Sequence, residues 1–180
     1  MKGVLFAGVA LALATSAWAQ SKAPNTTTQS GSADLELILA AAQGGMAEVE
    51  LGKVAVQQGT NEEVKKFGQR MVTDHSKGGD ELKAIAEQRG ISLPSDLDTK
   101  DKALMTRLSK LHGASFDRTY IRSMVSDHKQ DVAEFRRESM SGKDPEVKAW
   151  AAKMLPTLED HLKEAQAANK TSATKTGAAN

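Results

Sequence analysis

Between positions 33 and 168, apolar residues recur three and four apart, and no stretch alternates as a strand does. The pattern predicts a first helix from Asp34 to Gln58, with Leu35, Ile38, Leu39, Ala42, Met46, Val49 and Val56 on one stripe. Gly59-Thr60-Asn61 ends it, and Thr60 with Glu63 has the spacing of a capping box for the next helix. That second helix stacks Val64, Phe67, Met71, His75, Leu82 and Ile85 before Gly90 stops it. A connection from Gly90 to Ala114 contains Pro94 and a short helical piece, Asp98 to Leu111. The third long helix carries Phe116, Tyr120, Ile121, Met124, His128, Val132 and Phe135 and ends near Gly142. Asp144-Pro145 then reads as an N-cap followed by proline at the first helical position. The fourth presents Val147, Trp150, Met154, Leu158, His161 and Leu162, with Pro156 inside it as an expected kink.

Long helices that are each apolar on one face bury those faces together, so the fold class is an all-α four-helix bundle. Short loops make two antiparallel hairpins. The long middle connection, with its short helix, can run the length of the bundle, which permits the ferritin-like topology; an up-down bundle with a decorated loop uses the same elements. Two sequence echoes bear on pairing. Val64-Lys65-Lys66-Phe67 resembles Val147-Lys148-Ala149-Trp150, and Met71-Val72-Thr73-Asp74-His75 resembles Met124-Val125-Ser126-Asp127-His128. They equate different helices, so they do not establish a duplication.

The flanks differ from this middle. Lys2, the apolar run from Val4 to Thr15 and the small-x-small triplet Ala17-Trp18-Ala19 form a secretory signal peptide, residues 1–19. Residues 20–32 read as a disordered linker and 169–180 as a disordered tail, because neither holds enough apolar surface to offset its ordering entropy. The folded domain is therefore 33–168. The expected address is the periplasm, with no stable membrane insertion after cleavage.

Composition narrows the chemistry. The chain has no Cys, which excludes disulfides, thiolate metal sites and cysteine nucleophiles. Lys and Arg number 24 against 23 Asp and Glu, so the surplus of positive charge that nucleic-acid binding needs is missing. There is no phosphate-binding glycine loop, nucleophile elbow or HExxH. Gly44-Gly45 and Gly78-Gly79 lie inside helices and read as close-packing or bend positions.

The residues that could carry chemistry lie on the apolar stripes. His75 and His128 fall near the midpoints of their helices, and His161 about one turn past the midpoint of its own, roughly 7 Å along the axis. Glu48 and Glu50 lie near the middle of the first helix, Glu48 beside the small residues Ala41, Gly45, Gly52 and Ala55. Helices packed side by side bring their midpoints into one layer, where bundle proteins build metal sites. The candidate ligands are His75, His128, His161 and Glu48, for one transition-metal ion: Fe, Mn, Zn or Cu. The alternative is a buried network in which each His donates to Glu or Asp.

Asp74, Asp127 and Asp160 each precede a His, but neighbours in sequence point about 100° apart on a helix, so each could reach a His only on another helix. Asp131, three residues after His128, can pair with it on one face, whereas the phase of Asp160 points outward. Asp117 and Tyr120 read as a hydrogen-bonded pair, and His112 as an isolated surface residue. Met46, Met71, Met124 and Met154 place a thioether on each helix; core filling is their default role. A di-iron site needs Glu-x-x-His on two helices, and the residues three before these His are Val72, Val125 and Leu158. Without bridging carboxylates the reading leans away from an oxidase and toward a mononuclear site.

The stretches Ala41-Ala42-Gln43-Gly44-Gly45-Met46-Ala47-Glu48-Val49-Glu50-Leu51-Gly52 and Phe67-Gly68-Gln69-Arg70-Met71-Val72-Thr73-Asp74-His75-Ser76 resemble the first two motifs of the bacterial domain-of-unknown-function family 4142. Phe116-Asp117-Arg118-Thr119-Tyr120 and Leu155-Pro156-Thr157-Leu158-Glu159-Asp160-His161 resemble its third and fourth. The resemblance implies a secreted, ferritin-like helical bundle of periplasmic or outer-membrane description, with no established reaction. A barrel is a poor fit, since the strand alternation of one is missing. The function expected is metal handling or envelope-stress protection. The alternative is a structural or interaction module with a protein partner, and the sequence sets no oligomeric state.

Overall fold

The computed structural model describes residues 31–177; the signal peptide and nearly all of the linker expected from the sequence lie outside the described residues. Five helices and no strand occur among those described: α1 (Ser32–Gln58), α2 (Glu62–Gln88), α3 (Thr99–Leu108), α4 (Gly113–Ser141) and α5 (Pro145–Gly177). Four are long and pack as a bundle, with α3 in the connection between α2 and α4.

The ends of the helices give their directions. Asp34 at the start of α1 accepts from the backbone N–H of Lys143 (2.9 Å) and Asp144 (3.1 Å), just beyond the end of α4. At the opposite end, Thr60 after α1 meets Asp117 in the first turn of α4. Arg89 after α2 binds Asp144 before α5, and Arg70 further up α2 binds Glu164 further along α5. So α1 runs antiparallel to both α2 and α4, and α5 antiparallel to both α4 and α2. The connection after α2 therefore has to travel the length of the bundle. Gly90, at φ +64°, turns the chain out of α2 in a conformation that suits glycine. Ile91, Leu93, Leu97, Leu104 and Leu108 then pin the connection to the core.

Local capping follows the sequence in one place and departs from it in another. Asp144 caps α5 as its position before Pro145 predicts, accepting from the N–H of Glu146 and Val147. The predicted Thr60–Glu63 capping box is not formed. Asn61 is the N-cap, accepting from Glu63 N–H at 2.9 Å, and Thr60 is turned to Asp117. Asp117 collects Thr60 Oγ1 (2.6 Å), Thr60 N (3.1 Å) and Asn61 N (3.0 Å), tying the α1–α2 loop to α4. The expected Asp117–Tyr120 pair is accordingly absent, and the Tyr120 hydroxyl is buried without a hydrogen-bond partner.

The buried face of α1 also differs from the expected stripe. Leu37, Ile38, Ala47, Leu51 and Ala55 are buried, while Leu35 and Val56 are each 37% exposed. This helix is apolar around much of its circumference, so periodicity alone does not set its rotation. Close packing with α2 sets it. A Cβ at Gly52 would lie 2.6 Å from the carbonyl oxygen of Gly68, and one at Gly68 would lie 2.8 Å from Ala55 Cβ. Gly78 is also a contact, against Met154, whereas Gly44 and Gly79 face open space. Finally, α5 continues through residues 169–177, where the composition predicts a disordered tail. Ala165 and Ala168 are buried against the first core cluster, and helix propagates past them by adding one hydrogen bond per residue ordered.

Candidate metal centre

The core is two apolar clusters with a polar layer between them. One holds Leu51, Val64, Phe67, Met71, Phe116, Tyr120 and Met124; the other holds Ile38, Leu82, Val132, Phe135, Trp150 and Leu158. Between them stand Glu48 of α1, His75 of α2, His128 of α4 and His161 of α5, all buried. The midpoint argument thus brings one polar side chain per helix to a common level. The three imidazole rings lie 5.2 to 5.6 Å apart, centroid to centroid. One ligand atom from each lies within 4.8 Å of the others.

Hydrogen bonding assigns the protons. His161 Nε2 is 2.8 Å from Asp74 Oδ2, and His128 Nδ1 is 3.0 Å from the carbonyl oxygen of Met124. A carbonyl oxygen and a carboxylate only accept, so both nitrogens carry the proton in the neutral rings. The remaining nitrogens, His128 Nε2 and His161 Nδ1, then face each other as lone pairs at 3.2 Å. Two lone pairs at that distance repel unless a positive charge lies between them. His75 stands beside them, with its Nδ1 3.1 Å from Glu48 Oε2 and its Nε2 buried without a partner.

On balance the surroundings disfavour protonating these rings. Burial, reinforced by the other two imidazoles, holds His75 well below the ordinary histidine range. Burial and His161 bring His128 down to about 4, against the bond to Met124. His161 is lowered too, by burial first, with Asp74 opposing. Glu48 moves the other way, pushed well above the usual carboxylate range by burial and by Asp131, Asp127 and Asp101. Asp131 is raised to about 7 by burial and by Asp127 and Glu134.

The four predicted residues meet, but not as equals. Glu48 lies behind two rings, with Oε2 near His75 Nδ1 and Oε1 3.2 Å from His128 Nδ1. Asp131 belongs to a second potential ligand group with Glu48 and His128 rather than bonding His128 directly. Asp74 does what adjacency forbade it to do for His75 and serves His161 on another helix, while Arg70 Nε holds the same Oδ2 from outside at 3.2 Å. Glu50 is outside the layer, paired with Lys53 at 2.6 Å. Asp160 is on the surface and His112 is exposed. Met71 and Met124 are core members of the cluster beside the layer. Sequence reasoning missed the Met124 carbonyl, for which a His four residues after any buried residue is the available signal, and Arg70, whose spacing to Asp74 is that of a helical ion pair.

Residues 19–168 match the family described as domain of unknown function, DUF4142. The chain belongs to that family. Among solved structures, this DUF4142 bundle is similar to a DUF305 fragment from Deinococcus radiodurans, with a TM-score of 0.69 at 13% identity, covering 79% of this chain and 98% of that one. It is similar also to CopM in the Cu(I)-bound form, with a TM-score of 0.65 at 17% identity, covering 77% of this chain and 96% of that one. The Ag-bound form of CopM gives 0.63, with the same identity and coverage. At these identities the likeness is one of fold. No curated protein sequence matches the DUF4142 chain.

Proposed function

We propose that this bundle binds one transition-metal ion between His75, His128 and His161, with copper the favoured metal, and that it handles metal in the periplasm. The observation that carries this reading is the pair of facing lone pairs, His128 Nε2 and His161 Nδ1, 3.2 Å apart in a buried layer. Two nitrogens bound to one ion at about 2.0–2.1 Å and a tetrahedral angle stand about 3.3–3.4 Å from each other. The rings are thus already near ligand spacing.

The support behind the rings fits too. Metal-bound His commonly donates its other N–H to a carboxylate or carbonyl, which fixes the tautomer and raises ligand basicity. Asp74 serves His161 in this way, the Met124 carbonyl serves His128, and Glu48 stands at His75. Glu48 is therefore read as orienting the ligands rather than as the fourth of them. Imidazole donors suit copper, zinc, iron and nickel, and affinity among the divalent ions peaks at copper. The fold likeness to CopM, solved with Cu(I) and with Ag, supports the same choice. The periplasmic address rests on residues 1–19 and on the finding that no described helix is long and apolar enough to cross a membrane.

The test is metal titration of the mature, untagged protein with Cu(I), Zn, Fe and Mn in separate experiments, following stoichiometry and melting temperature. One equivalent bound, with a stabilisation of about 2.7 kcal/mol at a free metal concentration 100 times Kd, is expected. A His128→Asn, His161→Gln variant should fold and lose both effects with Cu(I), the favoured metal. No binding and no thermal shift with any metal would leave the layer as a purely structural network.

A further inference from the structure

A groove between α1, α3 and α4 opens on the side of Glu48 away from His75. Its volume is about 190 Å³, and Glu48, Asp98, Asp101, Asp127, Asp131 and Glu134 line it against a single cation, Lys100. Acidic surface alone is common and marks nothing. The floor of this groove is different, because Glu48 there is only 4% exposed and its Oε1 has no hydrogen-bond partner. The nearest ring nitrogen, His128 Nδ1, has its proton committed to the Met124 carbonyl. A ligand atom of Asp131 lies within 4.8 Å of those of Glu48 and His128.

We infer that the floor of this groove is a second cation site, for a hard divalent ion that keeps part of its water shell, with Glu48 Oε1 and Asp131 as direct ligands and Asp101 and Asp127 holding its waters. Three observations lead there. The donors that face the groove are oxygens, carboxylates above all with the amides of Gln43 and Gln130, and oxygen donors select hard ions over soft ones. A volume of about 190 Å³ holds an ion with several waters at about 30 Å³ each. Lys100, whose Nζ is 3.4 Å from Asp127 Oδ1, supplies the groove with a single compensating charge.

This site does not depend on the imidazole reading. It shares Glu48 with that layer, Oε2 facing His75 and Oε1 lying 3.2 Å from His128 Nδ1, but its proposed ligands are carboxylates and none of them is an imidazole.

Mn²⁺ is the probe, titrated into the mature protein and followed by loss of the free-ion electron paramagnetic resonance signal. Three variants accompany the wild type: Asp131→Asn, His161→Gln and Lys100→Met. We expect Asp131→Asn to weaken Mn²⁺ binding by about tenfold or more, since losing even a residue that only supports a ligand costs about 10- to 100-fold. His161→Gln should leave Mn²⁺ binding in place, and Lys100→Met should strengthen it severalfold, a direction that misfolding cannot produce. Absence of Mn²⁺ binding, or binding that survives Asp131→Asn and disappears in His161→Gln, overturns the groove site. The second of those results leaves the imidazole site standing, so the two readings fail separately.

Discussion

Asp74 bonds His161 of another helix, Oδ2 to Nε2 at 2.8 Å, rather than the His75 that follows it in sequence. The contact fixes the His161 proton on Nε2 and turns Nδ1 inward, toward His128. An Asp74→Asn change keeps the size of the side chain but removes the charge that makes this tautomer and a basic Nδ1 favourable. Metal affinity of the mature protein should fall by about 10- to 100-fold while the melting temperature of the metal-free protein changes little. Competition against a chelator of known affinity measures the first, and thermal unfolding the second. Unchanged affinity would remove Asp74 from the site.

The approach of α1 to α2 sets the rotation that buries Glu48, so it can be tested apart from the polar layer. Gly52→Ala would drive a methyl to 2.6 Å from the Gly68 carbonyl oxygen, and should destabilise the bundle by about 1–3 kcal/mol. Gly79→Ala makes the opposite prediction. It sits within α2 with nothing within 4 Å of its added carbon, so the lost backbone freedom of the unfolded chain should stabilise by about 0.4–1 kcal/mol. Urea unfolding of both variants checks the pair of signs.

These glycines also show where the sequence was legible. The apolar residues of α2, α4 and α5 announce their inner faces because charged residues fill the outer ones, and His75, His128 and His161 are found by that same periodicity. Helix α1 lacks that contrast. Its rotation comes from a contact between Gly52 and Gly68, sixteen positions apart, which no local pattern encodes. For the same reason Glu48 reads from sequence as a marginal candidate, although it lies against two of the three rings. The cap provided by Asp117 is likewise invisible in sequence, since its partners Thr60 and Asn61 are more than 50 positions away.

Asp117 provides a stability prediction of its own. Its carboxylate takes three hydrogen bonds from the α1–α2 loop, and Asp117 is only 5% exposed. Asp117→Ala leaves the N–H groups of Thr60 and Asn61 without that acceptor. The expected cost is about 2–3 kcal/mol, seen as a lower urea midpoint with an unchanged slope. A loss below about 0.5 kcal/mol would mean that water replaces the carboxylate without penalty.

At the other end of the bundle, the raised pKa of Glu138 beside Asp34 makes stability depend on pH. Burial, then the hydrogen bond to Asp34, raises Glu138 to about 7. Asp34 is itself lowered: burial works against this, but bonds from Glu138 and from the N–H groups of Lys143, Asp144 and Gly31 outweigh it. In the unfolded chain Glu138 loses its proton near 4.3 or so, about the ordinary glutamate value. Between there and about 7 the folded state therefore holds one proton more than the unfolded state at this residue. Stability from the pair is complete below that window and declines as pH rises through it. Asp34 acts in the opposite sense and only in acid, where protonating it would remove the acceptor of these bonds. Glu138→Gln keeps an N–H to donate to Asp34 but cannot ionise. The difference in melting temperature between wild type and Glu138→Gln should therefore shift in favour of the variant from pH 5 to pH 8. A difference that stays constant across that range would show that the pKa of Glu138 is not raised in the folded protein.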